Sequence, residues 1–277
     1  MTEDLRASGM PGRGRPLRLC AIGNSHLAAL RSGWGLCAAA YPAVQATWFG
    51  AMWDGIAQLR RVGGALRADH VPKVEATLAW TSGGLRQVVF EDYDAFLLVG
   101  LGLSFTSLAR LYGTNRTLSQ SKALPFKRLL SEAAFEAASK GLVQGSQSLA
   151  LAGVIREATP KPLLLVPDPL PSEAAAKGPE AALWRHLASD ADGASLLARF
   201  AAQAHLAARS VNAVFIPQPP ETRASPPFTH DRLRRGAVRM KPSGDTLFEE
   251  TDIGHMGLEY GAAVISSAVA ALGIHAS

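Results

Sequence analysis

Cysteine is nearly absent from this chain of 277 residues, which carries only Cys20 and Cys37. Two cysteines make no disulfide framework. Neither sits beside a histidine or another cysteine at metal-ligand spacing, so no metal is expected. Charge is sparse at 18% and aromatic residues stand at 7%, against a hydrophobic share of 48%. That balance excludes a disordered chain and leaves enough apolar surface for a sizeable core. No apolar run reaches the roughly 18–20 residues that a membrane-spanning helix needs. The nearest, 260–274, is broken by Ser266 and Ser267, so no membrane span is expected. The opening residues include Glu3 and Asp4 and lack an apolar stretch. They do not read as a secretory signal, and cytoplasmic residence is the expectation.

Nucleotide-phosphate motifs are missing too. Gly100 and Gly102 would need a third glycine at 105 to form a dinucleotide fingerprint, and that position is Phe105; no phosphate-binding loop with its Gly-Lys-Ser/Thr ending is present. No cofactor is expected. The net charge of +5 raises nucleic acid as a partner, but no helix interleaves basic and aromatic residues, so nucleic-acid binding is not expected. The excess is local. Arg223, Arg232, Arg234, Arg235, Arg239 and Lys241 face a single acid, Asp231, within 223–241.

What the chain does have is an alternation of short apolar runs and helical stretches. Runs 17–22, 44–49, 95–99, 163–166 and 211–216 read as strands, several stopped by glycine. The continuous runs 95–99 and 163–166 fit strands covered on both faces. Helices are expected over 26–40 (interrupted at Gly33 and Gly35), 128–158, 173–189, 193–209 and from about Gly254 to Leu272. Ser82-Gly83-Gly84 between 74–80 and 85–90 reads as the turn of a β-hairpin. The expectation is an α/β fold with a mainly parallel sheet and an extra β-hairpin. A loose tail 1–16 precedes a single domain, 17–277, with inserts near 66–92, 103–145 and 219–245.

Two short segments carry chemistry. The first strand ends in Gly23-Asn24-Ser25-His26-Leu27 and a helix follows at once. Ligands of open α/β sheets bind outside the carboxyl ends of the strands. A serine there stands beside free helix N–H groups that favour negative charge, which suits a nucleophile whose attack creates an oxyanion. Alternatively, Ser25 simply caps the helix. At the other end, Asp252-Ile253-Gly254-His255 precedes the last helix. A carboxylate three residues before an imidazole can orient it as a general base. Alternatively, Asp252 caps that helix. His26 is either a second base or substrate contact, or a helix-start residue with a packing role.

Together, Gly-Asn-Ser-His-Leu after the first strand and Asp-x-x-His before the last helix resemble the SGNH (GDSL-like) hydrolase family, over nearly the whole chain. The resemblance implies a three-layer α/β/α sandwich with a parallel sheet of about five strands. It implies Ser25 as nucleophile, His255 as general base and Asp252 as its orienting acid. It also implies an oxyanion hole built from the Ser25 N–H, the Gly50 N–H and an Asn side chain of a Gly-x-Asn motif. The matching stretch reads Val99-Gly100-Leu101-Gly102-Leu103-Ser104. No asparagine is present, so either Gly102 or Ser104 stands in its place, and Asn115 is the other side chain that could reach in. The implied function is a serine esterase acting on a short O-acyl ester of a small molecule or glycan. An O-acyltransferase with the same triad and a non-hydrolytic binding module on the same fold are the alternatives.

Overall fold

The computed structural model describes residues 15–276. Five parallel strands form the central sheet: β1 (Leu17–Gly23), β2 (Val44–Gly50), β3 (Ala95–Val99), β4 (Leu163–Val166) and β5 (Val214–Phe215), in spatial order β5-β4-β3-β1-β2. Gly23 lies opposite both Gly50 and Val99, and Val99 lies opposite Val166. The carboxyl ends of these four strands therefore finish on one line, and every loop leaving them emerges at the same edge.

Alternation along each strand sorts the apolar residues into two cores. Leu19, Ala21, Leu97, Val99, Leu164 and Val166 face one layer of helices, α1 (Leu27–Cys37) and, near the chain end, Leu258–Ala271. Cys20, Ile22, Phe96, Leu98, Leu163 and Leu165 face the opposite layer. That layer holds α2 (Pro72–Ser82), α3 (Phe105–Thr114), α4 (Glu132–Gln144), α5 (Gln147–Ala158), α6 (Ala181–Ser189) and α7 (Ala191–Ser210). Leu258–Ala271 is α8. The chain is thus an α/β protein with a parallel sheet between helical layers. Among the described residues, no helix is long and apolar enough to cross a membrane.

Helix α1 runs unbroken through Gly33 and Gly35, where an interruption was expected. A Cβ on Gly33 would lie 2.1 Å from the Ala262 nitrogen, and one on Gly261 would lie 1.7 Å from the Ala29 oxygen. The two glycines let α1 and α8 touch backbone to backbone, and that packing outweighs glycine's poor helix propensity.

The hairpin expected across 74–90 is a helix instead. Pro72 occupies the first turn of α2, Val74, Leu78 and Thr81 are buried at helical spacing, and Gly83 closes the helix at φ +80°. Ser82-Gly83-Gly84 is a helix stop, not a hairpin turn. The extra hairpin lies earlier, Arg60–Val62 against Ala65–Arg67, with Val88–Val89 added as a third strand. The stretch 128–158 divides in two because Gly145 ends α4 and the Ser146 hydroxyl accepts from the Leu149 N–H to start α5. Of the expected tail, residues 1–14 lie outside the described residues, whereas Arg15 is held by Asp94 through two hydrogen bonds of 2.7 Å.

Candidate active site

The turn from β1 to α1 is built by its own backbone. The Leu27 N–H donates to the Asn24 oxygen (3.0 Å), the Ala28 N–H to the Ser25 oxygen (3.3 Å), and the His26 N–H to Asn24 Oδ1 (3.1 Å). Ser25 is left at the top of the turn. No side chain caps the start of α1, so its hydroxyl is not spent on the helix.

The second segment arrives from the far end of the chain. The loop before α8 is pinned where the Ser172 N–H donates to the Ile253 oxygen (2.9 Å) and the Gly257 N–H to the Leu233 oxygen (2.7 Å). Asp252 does not cap α8, whose N-cap is Gly257. Its Oδ1 instead accepts from the N–H groups of Gly254 (2.9 Å) and His255 (2.8 Å), which aims its other oxygen at the ring. His255 Nδ1 lies 2.9 Å from Asp252 Oδ2, and His255 Nε2 lies 2.8 Å from Ser25 Oγ. With the proton on Nδ1, that nitrogen donates to Asp252 and the Ser25 hydroxyl donates to Nε2. Burial pushes the Asp252 carboxyl up. The hydrogen bonds from the His255 ring and main chain, with attraction to that ring and a bond from Gly254, outweigh it and bring the pKa down to about 2. The carboxylate is therefore charged at neutral pH.

The chain matches no family model, no curated protein and no solved structure.

Two more rings complete the surroundings of His255. Phe248 stacks on it with centroids 3.8 Å apart and planes within 10°, and His26 stacks at 4.9 Å and 27°. The Arg239 guanidinium lies 4.7 Å from the Phe248 ring centre. His26 Nε2 lies 3.5 Å from Asp168 Oδ1, just past the end of β4. Burial pushes the His26 pKa down; Asp168 opposes this, His255 reinforces it and Asp252 opposes it. Sequence reasoning left out Phe248 and Asp168. Asp168 carried one signal, its place at a strand's carboxyl end; Phe248 carried none.

The expected oxyanion donors fare differently. The Ser25 N–H has no hydrogen-bond partner among the described residues. The Gly50 N–H donates to Thr81 Oγ1 at 2.9 Å, because Gly50 is the last residue of β2 and backs onto α2. It is not a free donor. Ser104 stands at the N-cap of α3 without a capping bond. Asn115 is spent at the other end of α3, donating to the Leu111 oxygen (2.9 Å) and Thr114 Oγ1 (2.7 Å). The loop after β3 has three successive residues of positive φ: Gly100 at +74°, Leu101 at +57° and Gly102 at +74°. A Cβ on Gly100 would lie 2.7 Å from both Asn24 Oδ1 and Asp168 Oδ1 and 3.0 Å from His26 Cδ2, whereas one on Gly102 would meet nothing within 4 Å.

The basic stretch is partly neutralised. Arg232 pairs with Glu259 at 2.8 Å and Arg234 with Asp231 at 2.6 Å. Away from the site, His186, Asp190 and Asp192 are close enough to share a cation. The Tyr112 hydroxyl joins His186 Nε2 (2.8 Å) to Asp192 Oδ2 (2.6 Å), and the buried Arg116 guanidinium lies 3.5 Å from the Tyr112 ring centre.

Proposed function

We propose that this protein is a serine esterase that resembles the SGNH hydrolases, with Ser25 as nucleophile, His255 as general base and Asp252 as orienting acid. The observation that carries the reading is the unbroken line from Ser25 Oγ through the His255 ring to Asp252, at 2.8 and 2.9 Å. In the reaction, Ser25 Oγ attacks the acyl carbonyl and its proton passes to His255 Nε2. The imidazolium is stabilised by the Asp252 charge. The tetrahedral intermediate collapses, His255 returns the proton to the leaving alcohol, and the acyl group stays on Ser25. A water deprotonated by His255 then attacks the acyl carbonyl, and as the acyl–Ser25 bond breaks His255 returns the proton to Ser25 Oγ and the acid leaves. The Ser25 N–H, at the N-terminal end of α1, faces the developing oxyanion. The substrate class is a short O-acyl ester of a small molecule or glycan, met in the cytoplasm; two free cysteines fit a reducing compartment.

Gly100 supports its own placement as the motif glycine, since no side chain fits there. Gly102 then occupies the position where the family carries asparagine. That absence, with the Gly50 N–H committed to Thr81, favours a second reading: a binding module on the same fold. A fluorophosphonate probe separates the two. The esterase reading expects covalent labelling at Ser25, lost in Ser25→Ala together with turnover of a chromogenic acetyl ester. A folded protein that does not label, or a Ser25→Ala variant with unchanged turnover, would overturn it.

A further inference from the structure

We propose that His26 is a positioning residue that, with Phe248, clamps the His255 ring in the orientation its two hydrogen bonds require. The inference rests on the reading of Ser25, His255 and Asp252 as a catalytic triad.

The bond joining a histidine ring to its Cβ is a soft torsion with a broad energy profile. Rotation about it carries Nδ1 away from Asp252 and Nε2 away from Ser25 at the same time. Neither hydrogen bond alone fixes the plane of the ring, but stacked neighbours do. Phe248 lies 3.8 Å away and nearly parallel, and His26 lies 4.9 Å away at 27°. Each stacks on His255, and among the described residues no ring contact joins Phe248 to His26, which puts the two against opposite faces of the imidazole. Turning the ring would lift it off both.

His26 is itself held for this task. It is joined to the nucleophile by one peptide bond, and its N–H is anchored to Asn24 Oδ1 at 3.1 Å. Its ring edge faces Asp168 at 3.5 Å, and the space it fills exists because Gly100 has no side chain: a Cβ there would lie 3.0 Å from His26 Cδ2. The charge state suits the role. His255 becomes positive each time it takes the serine proton, and a second imidazolium against its face would oppose that step. The charged and titratable groups facing His26 are Asp168, His255 and Asp252, and burial has the largest effect, pushing its pKa down. His26 therefore stays neutral and offers His255 a polarisable face without a like charge. An imidazolium over an aromatic face is attracted by the ring quadrupole.

The test uses His26→Leu, which fills the space without a stacking face, and His26→Phe, which keeps the face and removes both ring nitrogens. The first readout needs no turnover: the low-field proton resonance of His255 Nδ1–H, assigned by its loss in His255→Gln. It should persist in the wild type and in His26→Phe, and broaden by exchange in His26→Leu. The second is the fluorophosphonate labelling rate, expected to fall about 10- to 100-fold in His26→Leu, the scale of misplacing a reacting group, and to recover in His26→Phe. Phe248→Leu removes the other jaw and should reproduce the same loss should His26→Leu fail to fold. Resonance and labelling unchanged in His26→Leu would overturn the proposal. So would a His26→Phe variant as impaired as His26→Leu, which would assign the function to the ring nitrogens. A wild type that never labels, yet shows the same pattern of resonances, would sink the esterase reading while upholding the clamp.

Discussion

On the esterase reading proposed above, Gly102→Asn should speed turnover. The position follows Gly100 and Leu101 in a loop with three successive positive φ values, and a Cβ added at Gly102 would meet no atom within 4 Å. Asparagine is among the few side-chain-bearing residues that adopt this backbone readily, so the strain stays below the roughly 1–2 kcal/mol charged to an ordinary L-residue. The gain is set against a site short of donors. The Gly50 N–H is bound to Thr81 at 2.9 Å, and neither Gly102 nor its neighbour Leu103 offers a polar side chain. One well-placed oxyanion donor is worth about 10²–10³ in kcat, or about 2.7–4 kcal/mol. Stability should fall by less than the barrier does, so the variant should fold and turn over a p-nitrophenyl acetate substrate about 10-fold faster or more, in kcat rather than KM. Gly102→Ala carries the backbone strain without a donor, and Gly102→Asp carries the shape with an acceptor in the donor's place. A Gly102→Asn variant no faster than Gly102→Ala, or a Gly102→Asp variant that gains as much, would show that a missing donor at this position does not limit the rate.

Two further outcomes follow from the packing and the charges. Gly261→Ala should lower stability by about 1–3 kcal/mol or more through overpacking, because the new Cβ would lie 1.7 Å from the Ala29 oxygen and α1 must move off α8. A thermal melt should show a drop of several degrees, about 2–4 °C per kcal/mol at this chain length, and an unchanged Tm would mean that the two helices are not in backbone contact. Asp252, brought down from 3.8 to about 2 in the folded chain, should contribute stability that is complete above pH 4 and disappears as pH falls from about 4 to about 2. Its size is about 2 kcal/mol. The difference in urea-unfolding free energy between wild type and Asp252→Asn should shrink by that amount between pH 5 and pH 2; Asp94, which also titrates at low pH, is common to both proteins and cancels. A difference independent of pH would remove the charged Asp252–His255 contact from the account.

Much of the fold was legible along the chain. Buried parallel strands must be apolar on both faces, so 95–99 and 163–166 announced themselves as continuous runs. The glycine-terminated β1 leading straight into a helix placed Ser25 at the sheet's carboxyl edge. Legibility failed where one local signal serves two structures. Ser82-Gly83-Gly84 supplies left-handed backbone, and both a hairpin turn and a helix end require it; the pairing of Ala65–Arg67 with Val88–Val89, a contact distant in sequence, decided for the helix. Gly33 looked like an interruption because the backbone it packs against, at Gly261 and Ala262, lies at the other end of the chain.

Sequence alone determined which residues could do chemistry, since Ser25, Asp252 and His255 are recognisable by type and by local spacing, and hydrogen bonds between neighbours such as Asp252 and His255 need little else. Tertiary structure alone decided the rest. It put His255 2.8 Å from Ser25, turned the Gly50 N–H towards Thr81, and stacked His26 and Phe248 on the imidazole. These are contacts through space between segments that share no local pattern. They follow from the register of β1, β2 and β3 and from the close approach of α1 to α8 that Gly33 and Gly261 allow.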